Sequence, residues 1–194
     1  MLCNKDTICS YNVENTQFKN SVADLKGGAI YYNLYRPNLD NITELNNTAV
    51  YGNYIASYPI KIKLTNTNTD MIRLDNVVSG QVYSSLSEFE LVDHDGQVIT
   101  TDTSSTIKIN TIHSNTSLDG TLTVSVDYGV GVFDQLTFIS QPGSKNVEFG
   151  ITSEAIDNDI INIQYNGTVT QNNITTSFRY CESGEVEVDD RCVM

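Results

Sequence analysis

Tryptophan is absent from this chain of 194 residues, and proline and histidine are rare at 3 and 2 residues. Basic residues are also scarce: 11 Lys and Arg stand against 24 Asp and Glu, a formal net charge of −13. Such a charge repels phosphate backbones, so the composition argues against a nucleic-acid partner. No run of about 18 apolar residues occurs, so we expect no direct membrane insertion by this segment.

The motifs that mark catalytic sites are missing as well. The chain contains no G-x-S-x-G, no H-E-x-x-H and no phosphate-binding glycine loop. His94, which stands between Asp93 and Asp95, and His113 are expected in exposed turns. We therefore predict no enzyme activity and no catalytic residue.

Calcium is the one cofactor that the sequence brings into consideration. Hard cations prefer clustered oxygen ligands, and several aspartates fall in predicted turns. No twelve-residue EF-hand loop is present, so no metal ligand is assigned. The aspartates concerned are Asp93, Asp95, Asp119, Asp157, Asp159, Asp189 and Asp190.

The four cysteines lie only near the two ends of the chain, at Cys3, Cys9, Cys181 and Cys192. The spacing lacks C-x-x-C pairs and argues against zinc. It favours two disulfides in an oxidising compartment, most simply Cys3–Cys9 and Cys181–Cys192, with three connectivities open. No signal peptide is visible at the start, and thirteen residues follow Cys181. The chain is interpreted as a fragment or processed segment.

Five N-x-S/T sequons support an extracellular location and N-linked glycans. The predicted glycosylation sites are Asn41, Asn46, Asn115, Asn166 and Asn173.

Hydrophobic residues alternate with period two over much of the chain, which predicts half-buried antiparallel strands. Turn residues separate these segments, among them DHDG at 93–96, LDG at 118–120 and DND at 157–159. The pattern predicts an all-β fold, with an antiparallel β-sandwich over residues 58–178. The alternating segments begin at Ile60, Phe89, Ile107, Leu122, Val147 and Ile161.

The first 57 residues contain a different pattern, a short internal repeat. FKNSVA at 18–23 aligns with LNNTAV at 45–50, an offset of 27 residues. This spacing suits one turn of a parallel β-helix, in which an Asn satisfies backbone groups at a corner and GGAIYY forms a strand. Two such turns cannot bury their hydrophobic faces alone. The spare face is expected to meet the sandwich, an upstream part of the chain or another molecule.

These residues resemble the repeats of large ciliate surface proteins, which are similar to bacterial polymorphic outer-membrane protein repeats with GGA[IV] and F-x-x-N motifs. Gly27-Gly28-Ala29-Ile30 matches the first motif, and Phe18 with Asn20 matches the second with one residue fewer between them. The segment SGQVYSSLSEFELVDHDGQVIT is similar to the opening strands of the immunoglobulin-like domains of surface adhesins. YCESGEVEVDDRC at 180–192 resembles the start of a cysteine-rich, growth-factor-receptor-like module. The resemblance implies a β-helix segment (1–57), an immunoglobulin-like sandwich (58–178) and a disulfide-linked tail (179–194), with no catalysis.

Together these features predict an extracellular structural glycoprotein that assembles head to tail into a filament or surface coat by β-strand addition. The expected partner is the chain itself, with other surface glycoproteins as further candidates. The alternative is a fragment of a large cell-surface adhesin that binds carbohydrate or calcium and has no polymerising role. The predicted assembly contact consists of Gly28, Ala29, Ile30, Tyr31, Tyr32, Val50, Tyr51 and Ile55.

Overall fold

The computed structural model describes residues 10–33, 35–65, 67, 71–84, 87–165 and 173–194. The fold is all-β, as the sequence predicts, with one short helix. The strands are β1 (Asn12–Glu14), β2 (Gln17–Lys19), β3 (Ile30–Tyr31), β4 (Asn38–Asp40), β5 (Thr43–Leu45), β6 (Ile55–Ala56), β7 (Lys61–Leu64), β8 (Ile72–Val77), β9 (Ser87–Val92), β10 (Thr106–Thr111), β11 (Ser117–Gly120), β12 (Thr123–Asp127), β13 (Val130–Phe133), β14 (Leu136–Ile139), β15 (Val147–Ser153), β16 (Asn173–Phe178), β17 (Val186–Val188) and β18 (Arg191–Val193), and the helix is α1 (Asn158–Tyr165).

Most of the middle of the chain belongs to one eight-stranded sheet with the order β7-β9-β13-β12-β10-β15-β16-β8. A two-stranded sheet, β11-β14, accompanies it. Aromatic side chains fill the core: the Phe89 and Phe133 ring centroids lie 5.6 Å apart, and those of Phe138 and Phe149 lie 4.9 Å apart. Both pairs meet edge to face, the arrangement that the ring quadrupoles favour.

The period-two pattern correctly located β7, β9, β10, β12 and β15. The sheet is nevertheless mixed, because β8 pairs with β16 in parallel. Two local predictions were wrong. The segment that begins at Ile161 lies in α1, because the Asp157 carboxylate accepts the backbone N–H groups of Asp159 and Ile160 and caps a helix there. Residues 118–120 lie in β11 rather than in a turn.

Residues 11–56 form two coils of a parallel β-helix. The first coil (residues 11–32) pairs with the second coil (residues 38–56) through β1-β4, β2-β5 and β3-β6, all parallel. Paired residues are 26 positions apart in β1 and β2 and 25 apart in β3. The predicted offset of 27 was therefore wrong, by one residue in β1 and β2 and by two in β3. Phe18 pairs with Glu44, and Leu45 takes the outer face, where it is 48% exposed.

The C-terminal hairpin β17-β18 is joined by the predicted Cys181–Cys192 disulfide. It docks on the sandwich, because the Cys192 N–H donates to the Ser79 carbonyl. The Arg179 guanidinium holds Glu185 at 2.7 Å, and this hydrogen bond lowers the pKa of the Glu185 carboxyl to about 2. Cys3 and Cys9 lie outside the described residues. None of the described helical structure is long and apolar enough to cross a membrane.

Candidate assembly site: the two-coil β-helix and its ends

Asparagines in the left-handed region form two corners of each coil. Asn15 and Asn41 both have φ of 49°, and Asn20 and Asn46 have φ of 53° and 54°. Asparagine tolerates this conformation better than most residues. The corners are also linked between coils, since Asn41 Nδ2 donates to Asn15 Oδ1 at 2.7 Å. Asparagine stacked on asparagine therefore sets both the bend and the register.

Glycine forms the third corner. Gly27 and Gly52 occupy equivalent positions with φ of 66° and 62°. Gly28 is required for a different reason: a Cβ there would lie 2.1 Å from the Asn53 carbonyl oxygen and 2.8 Å from that of Thr48. The pair of glycines in GGAIYY thus provides one bend and one close approach between coils.

Asn47 satisfies backbone groups inside the coils. Its Oδ1 accepts the Ser21 N–H at 3.1 Å, and its Nδ2 donates to the Phe18 carbonyl at 3.2 Å. The expectation that an Asn of the repeat serves this purpose is confirmed at this position.

One side of the second coil is covered by the cap loop (residues 93–100), which follows β9. Tyr51 donates its hydroxyl to the Asp93 carboxylate, which is fully buried. The Tyr32 hydroxyl donates to Asp95 at 2.7 Å, and Arg36 Nε pairs with the same carboxylate at 2.8 Å. Burial raises the pKa of the Tyr51 hydroxyl, and its hydrogen bond to Asp93 acts in the same direction. Both tyrosines are therefore neutral donors that hold the cap loop against the coils.

The cap loop also satisfies the free backbone of the second coil. Gln97 Nε2 donates to the Ile55 carbonyl at 2.9 Å, and Thr100 Oγ1 donates to the Val50 carbonyl at 3.3 Å. Tyr51 and Ala56 share a continuous buried cluster with the sandwich core. This part of the β-helix end is closed by the chain itself.

The opposite end, below the first coil, is open. Among the described residues, β1, β2 and β3 pair only with strands of the second coil. A cavity of about 290 Å³ opens there into the interior of the coil. Its lining is mainly aromatic and aliphatic, and consists of Tyr11, Val13, Phe18, Ile30, Tyr31, Tyr32, Asn33, Tyr35 and Pro37.

The backbone of the first coil alternates between its two edges. The Thr16 carbonyl accepts from Thr43, and the Asn20 N–H donates to Leu45, both toward the second coil. Because alternate residues of a parallel strand bond to opposite neighbours, Gln17 and Lys19 direct their backbone groups to the open edge.

The two edge strands of the eight-stranded sheet, β7 and β8, differ from the open edge of the first coil. β7 carries Lys61 and Lys63, and β8 has a register shift against β16 and a left-handed residue, Asn76 with φ of 61°. Edge lysines and irregular edges both discourage pairing with another strand. The first coil also carries one edge lysine, Lys19, but its three strands pair without a register shift.

The far end of the second coil holds a second cavity, of about 270 Å³. β4 and β5 pair only with the first coil within the described part of the chain. The lining is mostly polar and consists of Glu44, Leu45, Asn46, Asn47, Asn53 and Tyr54.

The predicted contact residues divide into two groups. Gly28, Tyr32, Tyr51 and Ile55 are buried within the chain, and Ala29 and Ile30 are partly buried. Tyr31 and Val50 are exposed at 42% and 62%. All eight lie within residues 28–32 and 50–55, on the side of the coils that contains β3 and β6. Their role in assembly stays a prediction. The cap loop was missed, because its contacts join residues 42 to 63 positions apart.

The predicted glycosylation sites are placed on different surfaces. Asn41, Asn46 and Asn115 are exposed, and Asn173 is partly buried at the start of β16. Asn166 lies outside the described residues.

The aspartates considered for calcium are largely engaged elsewhere. Asp93 and Asp95 hold the cap loop, Asp119 pairs with Arg191, and Asp157 caps α1. Within the described residues, the one group of three ligating side chains is Cys181, Glu185 and Cys192. Its two sulfurs form the disulfide and so offer no thiolate.

No protein family, no curated protein and no solved structure matches this chain.

Proposed function

We propose that this chain is an extracellular structural glycoprotein that assembles head to tail into a filament or surface coat. The observation that carries the proposal is the open end of the first coil, which combines an apolar cavity with a strand edge that has no pairing partner among the described residues. An exposed edge of this kind is a template for pairing with another chain. Strand addition satisfies the backbone groups, and side-chain contacts at the cavity supply selectivity.

The head-to-tail geometry follows from the difference between the two ends of the coils. The first coil is open, whereas the second coil is partly covered by the cap loop. A contact between two unlike surfaces does not close on itself, so it extends into a filament.

The extracellular location is supported by the disulfide of the C-terminal hairpin and by the exposed sequons. Peptide-N-glycosidase treatment of native material should reduce its mass by the mass of the N-linked glycans. An unchanged mass would refute the glycoprotein part of the proposal.

The second candidate is a segment of a large surface adhesin, in which further coils of the same polypeptide cover the open end and the sandwich acts as a spacer. The contact between the two coils favours it, because that contact shows how one coil of this chain covers another. In an adhesin segment whose open end is left uncovered, the tyrosine-lined cavity would instead suit stacking against a sugar ring.

Electron microscopy and sedimentation of the purified chain, from about pH 7.5 to about pH 4, test assembly directly. Lys19→Pro removes one backbone N–H at the open edge and adds a ring there, so it should abolish filaments. Lys19→Ala, which changes the side chain but keeps the N–H, should assemble normally. Filaments of Lys19→Pro, or discrete particles of the wild type at every pH, would refute strand addition at this edge.

A further inference from the structure

We propose that the far end of the second coil is the acceptor for the first coil of a second copy, and that the charge of Glu44 controls docking. This inference rests on the proposed function and names its partner surface and its regulation.

The first step is the register of the coils. Phe18 pairs with Glu44, so the two side chains lie on the same face of their strands. Phe18 lines the cavity of the first coil and contacts Tyr54, with ring centroids 6.0 Å apart. Glu44 therefore occupies, in the second coil, a position that an aromatic residue fills in the first.

The second step is the match between the two ends. Asparagines occupy the same three positions in both coils, as the pairs Asn12 and Asn38, Asn15 and Asn41, and Asn20 and Asn46. A second copy stacked with the register found within the chain would continue all three asparagine rows. The contact between molecules would then repeat the contact between coils along β4 and β5, whereas beside β6 the Ile55 and Val50 carbonyls already accept from Gln97 and Thr100 of the cap loop.

A buried tyrosine hydroxyl lies at this end of the second coil. The Tyr54 hydroxyl is buried and has no hydrogen-bond partner among the described residues. Tyr54 lines the same cavity as Glu44. The docked first coil of a second copy would bring new polar groups to this cavity.

The third step is the cost of docking. In this register, Phe18 of the second copy would lie over Glu44 and exclude water from its carboxylate. Burial of an unpaired carboxylate against an aromatic ring is strongly unfavourable, whereas a protonated carboxyl carries no charge to desolvate. An inward-facing charge is one of the devices that keep strand edges from pairing.

The surrounding groups do not neutralise Glu44: burial and then the nearby Glu44 charge raise the pKa of the Tyr54 hydroxyl, so this neighbour in the same cavity is uncharged. Asp40 and Glu14 on β4 and β1 are acidic and paired with each other in register, and Lys19 on β2 lies on the outer face. Arg36 is engaged by Asp95 of the cap loop. Docking is therefore expected to require uptake of a proton by Glu44.

The experiment compares Glu44→Gln with the wild type by sedimentation over a concentration series near neutral pH. The variant should lower the critical concentration for assembly by at least about tenfold. The control is Glu187→Gln on β17, which changes the net charge equally, belongs to the C-terminal hairpin rather than to the coils and should behave as the wild type does. For the wild type, the critical concentration should fall by about tenfold for each unit by which the pH is lowered, because docking takes up one proton. The dependence of the critical concentration on pH should be weaker for Glu44→Gln.

Glu44→Leu, which places an apolar side chain at the Phe18-equivalent position, should assemble at least as well as Glu44→Gln. If both variants match the wild type while Lys19→Pro still blocks assembly, the inference is wrong and the proposed function stands. If no variant assembles at any pH, the proposed function itself is wrong.

Discussion

Replacement of Gly28 by alanine tests the packing of the two coils. The new Cβ would stand 2.1 Å from the Asn53 carbonyl oxygen, well inside contact distance. The backbone of Gly28 does not have positive φ, so the perturbation is steric rather than conformational. The first coil must therefore move away from the second by about 1 Å to restore a normal C···O contact.

The expected loss of stability follows from the hydrogen bonds beside Gly28. The N–H groups of Gly27, Gly28 and Ala29 donate to the second coil at 3.0, 3.1 and 3.0 Å. A shift of about 1 Å stretches each to about 4 Å, beyond hydrogen-bonding distance. Three bonds at about 1 kcal/mol each give about 3 kcal/mol. Alanine also lowers the entropy of the unfolded chain, which restores about 0.7 kcal/mol of stability. The net loss of stability is therefore about 2.3 kcal/mol.

Amide hydrogen exchange measures this loss of stability at individual residues. Protection of residues 27–32 should fall by a factor of about 50, whereas the strands of the sandwich should keep theirs. Gly184→Ala is the matched control: Gly184, in the turn before β17, has φ of 97° and open space around its Cβ position, so it incurs backbone strain without a clash and lies outside the coils and the cap loop. Protection of residues 27–32 that is unchanged in Gly28→Ala would refute the coil packing.

Ile30→Asp places a charge in the cavity at the open end and should prevent assembly while the sandwich stays folded, as electron microscopy and circular dichroism would report. Tyr51→Phe removes a hydrogen bond to the buried Asp93 carboxylate and should lower the free energy of unfolding in urea by about 1.5–3 kcal/mol. The pKa of Glu185 falls from 4.5 to about 2 through its hydrogen bond with Arg179, so this stabilisation is complete above pH 4.5 and lost as the pH falls toward 2. Hydrogen exchange of residues 182–192 should therefore accelerate over that interval.

Each of these predictions has a control. Ile30→Val keeps the cavity apolar and should assemble, and normal filaments of Ile30→Asp would contradict the prediction. Tyr128→Phe, at a position 65% exposed, should leave stability unchanged, and equal effects of the two tyrosine variants would remove the role of Asp93. Glu185→Gln should show a flat exchange profile over the acidic interval.

The strands of the sandwich could be predicted because their side chains alternate between core and solvent. The helix α1 could not, because Ile161 and Tyr165 suit either a strand face or adjacent turns of a helix. The decisive signal was Asp157 as a helix cap, in a DND segment that also reads as a turn. Hydrophobic periodicity alone does not distinguish a strand from a helix in so short a segment.

The two-coil β-helix could be predicted from GGAIYY and the repeat, but its register could not. The spacing between paired residues changes from 26 at Val22 to 25 at Lys26, so no single offset fits the whole repeat. A shift of one residue exchanges the inner and outer faces, and this placed Leu45 inside instead of Glu44. The cap loop could not be predicted, since Asp93 is fully buried only through contacts distant in sequence.

Closure of the second coil by the cap loop has a consequence for the order of folding. Each coil depends on its neighbour for its backbone hydrogen bonds, as in other stacked repeats. The second coil contacts the cap loop through Asp93 and Gln97, and the first coil contacts it through its last residue, Tyr32, so the second coil can form once the sandwich has formed. The first coil then adds to the second, and the β-helix grows from its C-terminal coil toward its N-terminal one. Residues 11–32 would be synthesised before the sandwich and would acquire their native contacts after it.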